Sequence, residues 1–434
     1  MSIINNALSG ALAAQAGLYT TSQNVANVMT DGYTRQGVLL SSVQSTRTGA
    51  SAAGNGVTVS SLLRFSDGYK NMQLWSAASE LGRYDVAQTY LTQLEQVMGD
   101  DSSSINDALD ALFAALNAAS VEPTSSPLRQ QVITAADALA QGFNSLNQVL
   151  SNQRVAVQQQ RSTVVAQINT LTADIATLNK QIAAAQASGA NVSGLLDARD
   201  SKIDSLSGMV GVQVVEQADG TTSVSLKLDF AKESFTIAST GNLGGQLGGL
   251  DDVEQNVLLP MMTAITDMAR EFSAAVNQQL SNGYGLDDTQ QSVDLFTFNQ
   301  SSVTSMLSIN SGLTASMLGF SASADEAGNS ENLLAVIAIQ SSPIDVDSLG
   351  SVTVSDAFTQ LVGKLGMQSQ QNQASLSTAQ TVRDQAEESW NSTSGVNSDE
   401  EAVNLIQYQQ MYQSNLKVMA VATELFEATL DLIG

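Results

Sequence analysis

The chain has 434 residues with no cysteine and no histidine, and its 42 acidic against 17 basic residues give a formal charge of −25. The first absence rules out disulfides, thiolate metal sites and cysteine nucleophiles. The second removes the commonest general base, the commonest transition-metal ligand and the Ser-His-Asp triad. A charge of this sign is repelled by phosphate backbones and anionic lipid, so neither nucleic acid nor a membrane is an expected partner.

Charged residues make up only 14% of the chain, so its surface is polar and glutamine-rich more than highly charged. Such a surface suits close packing of identical subunits, where like charges would accumulate. The length suggests roughly two to four domains. No run reaches the roughly 20 apolar residues needed to span a bilayer. MSIINNALSG also lacks the basic start and apolar core of a cleavable signal peptide, and on these grounds alone a cytoplasmic protein is expected.

In chain order, the first pattern is a seven-residue repeat through Ile4, Leu8, Ala11, Gln15, Leu18, Ser22, Val25 and Met29, which predicts a helix with one apolar seam. Gly32 is a natural stop. Residues 36 to 64 alternate apolar and polar around Gly54 and Gly56, as a hairpin or extended arm does. Helix is predicted again from Asp67 through Trp75 and Leu91 to Val97, with Gly99 ending it and Asp101–Ser104 supplying caps for the next. Pro123 and Pro127 mark a turn before another helix.

The clearest element runs from Phe143 to Ser188 without glycine or proline. Its apolar positions Val157, Val164, Ile168, Leu171, Ile175, Leu178, Ile182 and Ala185 step by threes and fours. As one helix it would extend roughly 70 Å. Past Gly208 the sequence VGVQVVEQADGTTSVSLKLDF alternates around Asp219-Gly220, a hairpin signal, and ESFTIAST offers a third strand. GNLGGQLGGL then reads as a turn leading to helix from Asp251 to about Leu280. Residues 282 to 347 are mixed and loop-rich, with a short apolar run, LLAVIAI.

Helix is predicted again from Val354 to Glu388. After a break at STSGVN comes a second seven-residue seam, Leu405, Gln409, Tyr412, Leu416, Met419, Thr423, Phe426, Leu430 and Ile433. The resulting fold class is mainly α with a small β domain: a long antiparallel helical bundle or coiled-coil rod, with discontinuous nested domains and pairing terminal helices. Polar residues interrupt both seams, as partner-selecting positions do in coiled coils. On periodicity alone, an intermolecular role and ordinary packing on the protein's own body both remain open.

Several patterns that suggest chemistry have simpler readings. The glycines of GNLGGQLGG are followed by Leu250 and Asp251, where a phosphate loop needs lysine and a hydroxyl. The acidic clusters Asp251-Asp252, Asp287-Asp288 and Asp399-Glu400-Glu401 lack the alternating ligands of a helix–loop–helix calcium site. The last of them sits at a helix start, where carboxylates favour the helix dipole. Asn-x-Ser/Thr triplets at Asn191, Asn299 and Asn391 are expected by chance in this composition. No catalytic residue, metal site or cofactor is expected.

Residues 7 to 36, ALSGALAAQAGLYTTSQNVANVMTDGYTRQ, closely resemble the N-terminal signature of the bacterial flagellar axial proteins. There ALSGL-x-AAQ-x-AL-x-TTS-x-N-I-A-N precedes a Gly-Tyr or Gly-Phe turn. Residues 394 to 434, opening SGVNSDEEAVNLIQYQQMY, resemble the C-terminal signature of the same family, and LLDARDSKIDSLSGMVGV (195 to 212) resembles its helix-to-β transition. The motif residues are Asn24, Asn27, Gly32, Tyr33, Gly395, Val396, Asn397, Asp399 and Glu400, and the combination is most similar to the hook-associated members. Asp31 stands where relatives commonly have proline. The short centre implies one small β domain where larger relatives have two.

The resemblance implies a non-enzymatic structural adaptor that joins the hook, through a second junction protein, to the filament. Implied partners are the hook protein, that junction protein, further copies of the chain in a helical ring, the type III export apparatus and an export chaperone gripping the C-terminal helix. The implied location is the extracellular flagellum, after a cytoplasmic stage, in place of a permanently cytoplasmic one. Residues 1–35 and 396–434 would form a terminal assembly domain, disordered in the free subunit and folding on assembly. Residues 36–207 and 245–395 would form the helical rod, and 208–244 the small β domain. Ile4, Leu8, Leu18, Val25 and Met29 would form the N-terminal seam. Leu405, Tyr412, Leu416, Met419, Phe426, Leu430 and Ile433 would serve both assembly and chaperone binding. Another axial protein of hook or filament type, or a helical partner-binding module, are the alternatives.

Overall fold

The computed structural model describes residues 2–44, 54–99, 104–217, 219–226, 243–286 and 293–431. Two compact units divide the chain. The first is made of Met1–Leu81, Gln167–Phe235 and Ala379–Gly434, and the second of Gly82–Ala166 and Thr236–Thr378. The fold is mainly helical, with short antiparallel strand pairs.

In the first unit, α1 (Ser2–Ala26) leads through a turn to the antiparallel pair β1 (Gln36–Ser42) and β2 (Val57–Arg64). The start of α2 (Gly68–Met98) follows, and the end of α4 (Ser126–Ala187) returns the chain to this unit. Next come α5 (Ser193–Met209) and a hairpin of β3 (Val212–Glu216) and β4 (Thr222–Leu226). The end of α9 (Val354–Ser394) and α10 (Ser398–Asp431) complete it, with α10 packed along α1. Its core is formed by Ile168, Ile175 and Ile182 of α4 with Ile203, Leu206 and Val210 at the end of α5. Asp219-Gly220 makes the predicted tight turn, with Gly220 at φ 70°. The third strand expected at ESFTIAST lies outside the described residues.

The second unit holds α3 (Ile105–Val121), α6 (Gly245–Asp252), α7 (Leu259–Ser281), α8 (Glu331–Ala338) and the two-stranded ladders β5–β6 (Phe296–Phe298, Leu307–Ile309) and β7–β8 (Ile344–Val346, Gly350–Val352). Ser104 caps α3 through Asp107 N–H. Phe113, Phe272 and Phe296 pack in sequence, the first pair edge to face and the second tilted, with ring centroids 6.2 and 6.0 Å apart, inside a core that includes Leu112, Leu139, Phe143 and Leu150.

Three sequence expectations need correction. The long helix starts at Ser126, well before Phe143. Gly142 lies inside it with open space around its Cα, and its intrinsic cost of about 1 kcal/mol is small against packing over so many turns. The glycine-rich segment is itself helical from Gly245. Gly244 and Gly245 start it at φ 63° and 56°, and Gly249 lets it touch α2, where a Cβ would collide with the Arg83 carbonyl. Finally, α9 runs on to Ser394, past the expected end at Glu388.

Between α6 and α7 the helix widens into a π turn, Val253–Leu258. Pro260 follows directly and has no N–H for the Asn256 carbonyl four residues back, so α-helical bonding cannot be continuous there. The backbone instead bonds Leu259 N–H to Glu254 O. Glu254 is buried, and its carboxylate receives Arg154 at 3.0 Å and Gln158 at 2.8 Å.

Arg129 is fully buried near the start of α4 and has no carboxylate partner in the described structure. Its guanidinium donates to the carbonyls of Pro123 (2.5 Å), Leu318 (2.7 Å) and Ala315 (3.2 Å) and lies 4.4 Å from the centroid of the Phe320 ring. Burial pulls its pKa down to about 10, so it remains a cation at neutral pH. Only a planar fork reaches these carbonyls together. Arg129→Met should therefore leave buried acceptors unpaired and cost about 2–4 kcal/mol, measured by chemical denaturation followed by circular dichroism.

Candidate functional site

The axial-family motifs meet within the first unit, at the end of α1. Where a helix ends and a strand begins, the outward N–H and C=O of the strand's first residue need partners. Asn24, 1% exposed, supplies them. Its Nδ2 donates to Gln36 O at 2.8 Å, and its Oδ1 accepts Gln36 N–H at 3.0 Å and the Tyr33 hydroxyl at 2.9 Å. Asn27 holds the turn itself, its Oδ1 accepting from Thr30 Oγ1 at 3.3 Å. Gly32 sits at φ 73°, a conformation that disfavours any side chain. Asp31 is compatible with this turn because the positive φ falls on the next residue, Gly32.

The turn is then tied to the break between α9 and α10. Arg35 N–H bonds Ser394 O at 2.7 Å, its side chain pairs with Glu400 at 2.5 Å, and its guanidinium lies 4.5 Å from the Phe65 ring centroid. Gly395 is forced by close approach, since a Cβ there would lie 2.6 Å from the Asn391 carbonyl. Val396 follows in the break, and Asn397 is the N-cap of α10, its Oδ1 accepting Asp399 N–H at 2.9 Å and Glu400 N–H at 3.4 Å. Asp399, Glu400 and Glu401 fill the first turn, where the helix dipole favours carboxylates. The cap is therefore the asparagine, with the acids assisting.

A salt-bridge cluster that the sequence reading did not single out anchors the hairpin side of the site. Arg64, ending β2, donates to Asp197 and Asp200 of α5, both at 2.8 Å, and to Thr34 Oγ1 at 3.0 Å. Arg199 pairs with Asp200 at 2.9 Å. Arg383 forks onto Asp204 with two 2.8 Å contacts. The DARD run in LLDARDSK was the available signal, because opposite charges alternating at one helix start need partners when buried.

Along the α1–α10 contact, the buried face of α1 is Ala7, Gly10, Ala11, Ala14, Gly17, Thr21 and Asn24. Asn415 lies over Gly10 and Tyr408 over Gly17, so closely that a Cβ at either glycine would overlap them. The intramolecular seam is thus rotated by about one residue from the predicted stripe. Small residues allow the backbones to approach, and that contact area wins over the larger side chains.

The stripe residues face elsewhere. Leu8, Val25 and Met29 are exposed, Met29 at 91%, and Ile4 and Leu18 are half-buried. On α10, Leu405, Leu416, Phe426 and Leu430 are exposed and Tyr412 and Met419 half-buried, while Ile433 lies outside the described residues. Two clefts of about 560 and 1010 Å³ border the turn. Among the described residues no group of acidic side chains is placed to hold a metal ion, and no helix is long and apolar enough to cross a membrane.

Comparison with known proteins matches this architecture. The family profile described as "Flagellar hook-associated protein FlgK helical domain" matches residues 91–230 and 225–296. That described as "Flagellar basal body rod FlgEFG protein C-terminal" matches residues 389–432, which include the Gly395–Glu400 motif and α10. Flagellar hook-associated protein 1 of Salmonella typhimurium is 26% identical, over 99% of this chain and 100% of that protein. Its counterpart in Bacillus subtilis is also 26% identical, over 97% and 96%. The flagellar hook junction protein FlgK from Burkholderia pseudomallei shares the fold at a TM-score of 0.60 and 16% identity, over 73% of this chain and 99% of that one.

The chain is therefore a structural, non-enzymatic protein of the bacterial flagellar axial class. Within that class it belongs to the family of flagellar hook-associated protein 1.

The hydroxyl of Tyr33 titrates at about 12, raised first by burial and then by the nearby carboxylates of Asp197 and Glu401. A folded pKa above the ordinary 10 means that its contribution to stability is complete below pH 10 and is lost as pH rises towards 12. Ultraviolet difference titration of wild type against Tyr33→Phe should isolate a phenolate forming at about pH 12. A Tyr33 midpoint near 10 would mean that the hydroxyl is neither buried nor close to Asp197 and Glu401.

Proposed function

We propose that this chain is a structural adaptor at the hook–filament junction of the bacterial flagellum. One end of the junction is the hook protein, and the other is the second junction protein, through which the filament is attached. The observation that carries this reading is the division of labour along α1 and α10. The two helices close on each other through glycines and alanines of α1 against Tyr408 and Asn415 of α10, and leave Leu8, Val25, Leu405, Leu416, Phe426 and Leu430 in solvent. Two matched stripes of large apolar side chains need partner surface. Copies of the chain, arranged in a helical ring, and the neighbouring axial proteins supply it. The names of the full-length relatives support the hook as a neighbour.

Residues 1–35 and 396–434 act as the assembly domain on this reading. They are unfolded during export through the type III apparatus and order when the subunit joins the flagellum. Absence of cysteine suits such transit, since no disulfide has to be broken. Before export a chaperone covers the exposed stripe of α10. Final location is extracellular, after a cytoplasmic stage.

Leu416→Asp with Phe426→Asp tests the outward stripe. Each carboxylate would have to be desolvated in the assembled state at a cost of several kcal/mol, whereas both sites are exposed in the free chain. Filament attachment should be lost, as seen by electron microscopy, with the melting temperature of the purified chain unchanged. Normal filaments in the double variant would sink the proposal. For the export step, deletion of residues 2–30 should hold the protein in the cytoplasm, and its appearance in culture supernatant by immunoblot would refute a signal there.

A further inference from the structure

The pair β1–β2 has no third strand beside it among the described residues, and side chains of α1 meet its outer edges at Gln36 and at Val57. Their register places Val38, Leu40, Val59 and Leu62 on one face and Leu39 and Leu63 on the other, on either side of a bulge at Leu39/Leu40. A ribbon apolar on both faces is the pattern of a strand pair covered on both sides. Here Leu39, Leu62 and Leu63 are 49, 39 and 45% exposed. The strands touch α1, and Asn6 and Ser9 hold the ribbon at Gly54 and Val57, but this contact leaves those side chains in water. A lone two-stranded ribbon is marginal in water, and an open apolar edge invites another chain.

Charge selects which chain. Natural open edges are defended by lysine or by inward charges, and β1 and β2 carry no charge except Arg64, which Asp197 and Asp200 neutralise. Residues 1–63 contain two arginines and one aspartate, a net of +1, in a chain whose total is −25. Two copies repel each other over most of their surface, and this ribbon with its supporting helix adds nothing to that repulsion. The two edges are also unlike each other. A contact through them is head-to-tail and propagates around a ring or along a helix without closing on a pair.

We infer that the β1–β2 ribbon is a contact between neighbouring copies of this chain, its exposed apolar side chains covered by the next subunit in the layer. This rests on the junction reading, and adds to the terminal stripes a second, independent surface for self-association. The test is photocrosslinking in isolated flagella, with benzoylphenylalanine in place of Leu39 or of Leu62 and with mass spectrometry of the products. The expected result is a covalent dimer of this chain, with peptides of the second copy attached at the ribbon. Crosslinks to a different axial protein, or no crosslink while the protein is present in the flagella, would overturn the inference and leave the junction reading intact. Absence of the wild-type chain from isolated flagella would instead overturn the junction reading, and the inference with it.

Discussion

The first unit depends on one chain reversal, at residues 27–35, and that reversal depends on the carboxamide of Asn24. A helix end followed at once by a strand needs one buried group that both donates and accepts. The carboxamide pairs with both backbone groups of Gln36 and still receives the Tyr33 hydroxyl. Aspartate could not donate to the Gln36 carbonyl, and leucine would strand a buried donor and acceptor together. From this point the connections spread outward. Tyr33 lies within the electrostatic reach of Asp197 and Glu401, Arg35 reaches Ser394 and Glu400, and Arg64 locks the far strand onto α5. The break between α9 and α10 is held in place by the same residues that end α1, which is why the two motifs belong together although they lie at opposite ends of the sequence.

The pairing of α1 with α10 inverts the usual expectation of which residues go inside. Buried apolar area ordinarily favours leucine over glycine by about 25 cal/mol per Å². Here the inner face is made of Ala7, Gly10, Ala14 and Gly17, and the helices come close enough for Asn415 and Tyr408 to lie on bare backbone. Close approach gains contact along the whole backbone and keeps the leucines free for another surface. A heptad stripe read from hydrophobicity finds those leucines and takes them for the seam. The better signal was the pair of glycines seven residues apart inside a helix, where glycine otherwise only costs stability.

Much of the remaining fold was legible because it follows from local patterns. The three-and-four spacing from Val157 to Ile182 gave the buried face of α4, and Asp219-Gly220 gave the β3–β4 turn. What escaped depends on contacts distant in sequence. Gly249 has to be glycine because α2 passes within a Cβ's reach, a contact its neighbours in sequence do not reveal. The π turn is set by Pro260 together with the need to bring Glu254 to Arg154 and Gln158. Arg64 and Asp197 are 133 positions apart, and no window of sequence could pair them. Of the site, the motif residues were found and their mutual bonding was not.

Charge separates the surfaces that must stay apart from those that must meet. A total of −25 keeps copies apart in solution, which a chain carrying exposed apolar stripes needs until assembly. If the acidic residues were spread evenly, that repulsion would persist at every contact. They are not: the sequence of α1 contains no charged residue, and β1 and β2 have only the neutralised Arg64. At physiological salt, charges further apart than about 8 Å are largely screened. Removing carboxylates from the contact surface itself is therefore enough to let it be buried, while the rest of the chain stays soluble. The α1 stripe and the ribbon lie in this neutral region, whereas α10 carries six acidic residues against one lysine, so it is on the α1 side that solubility and exposed apolar surface belong to different parts of the chain.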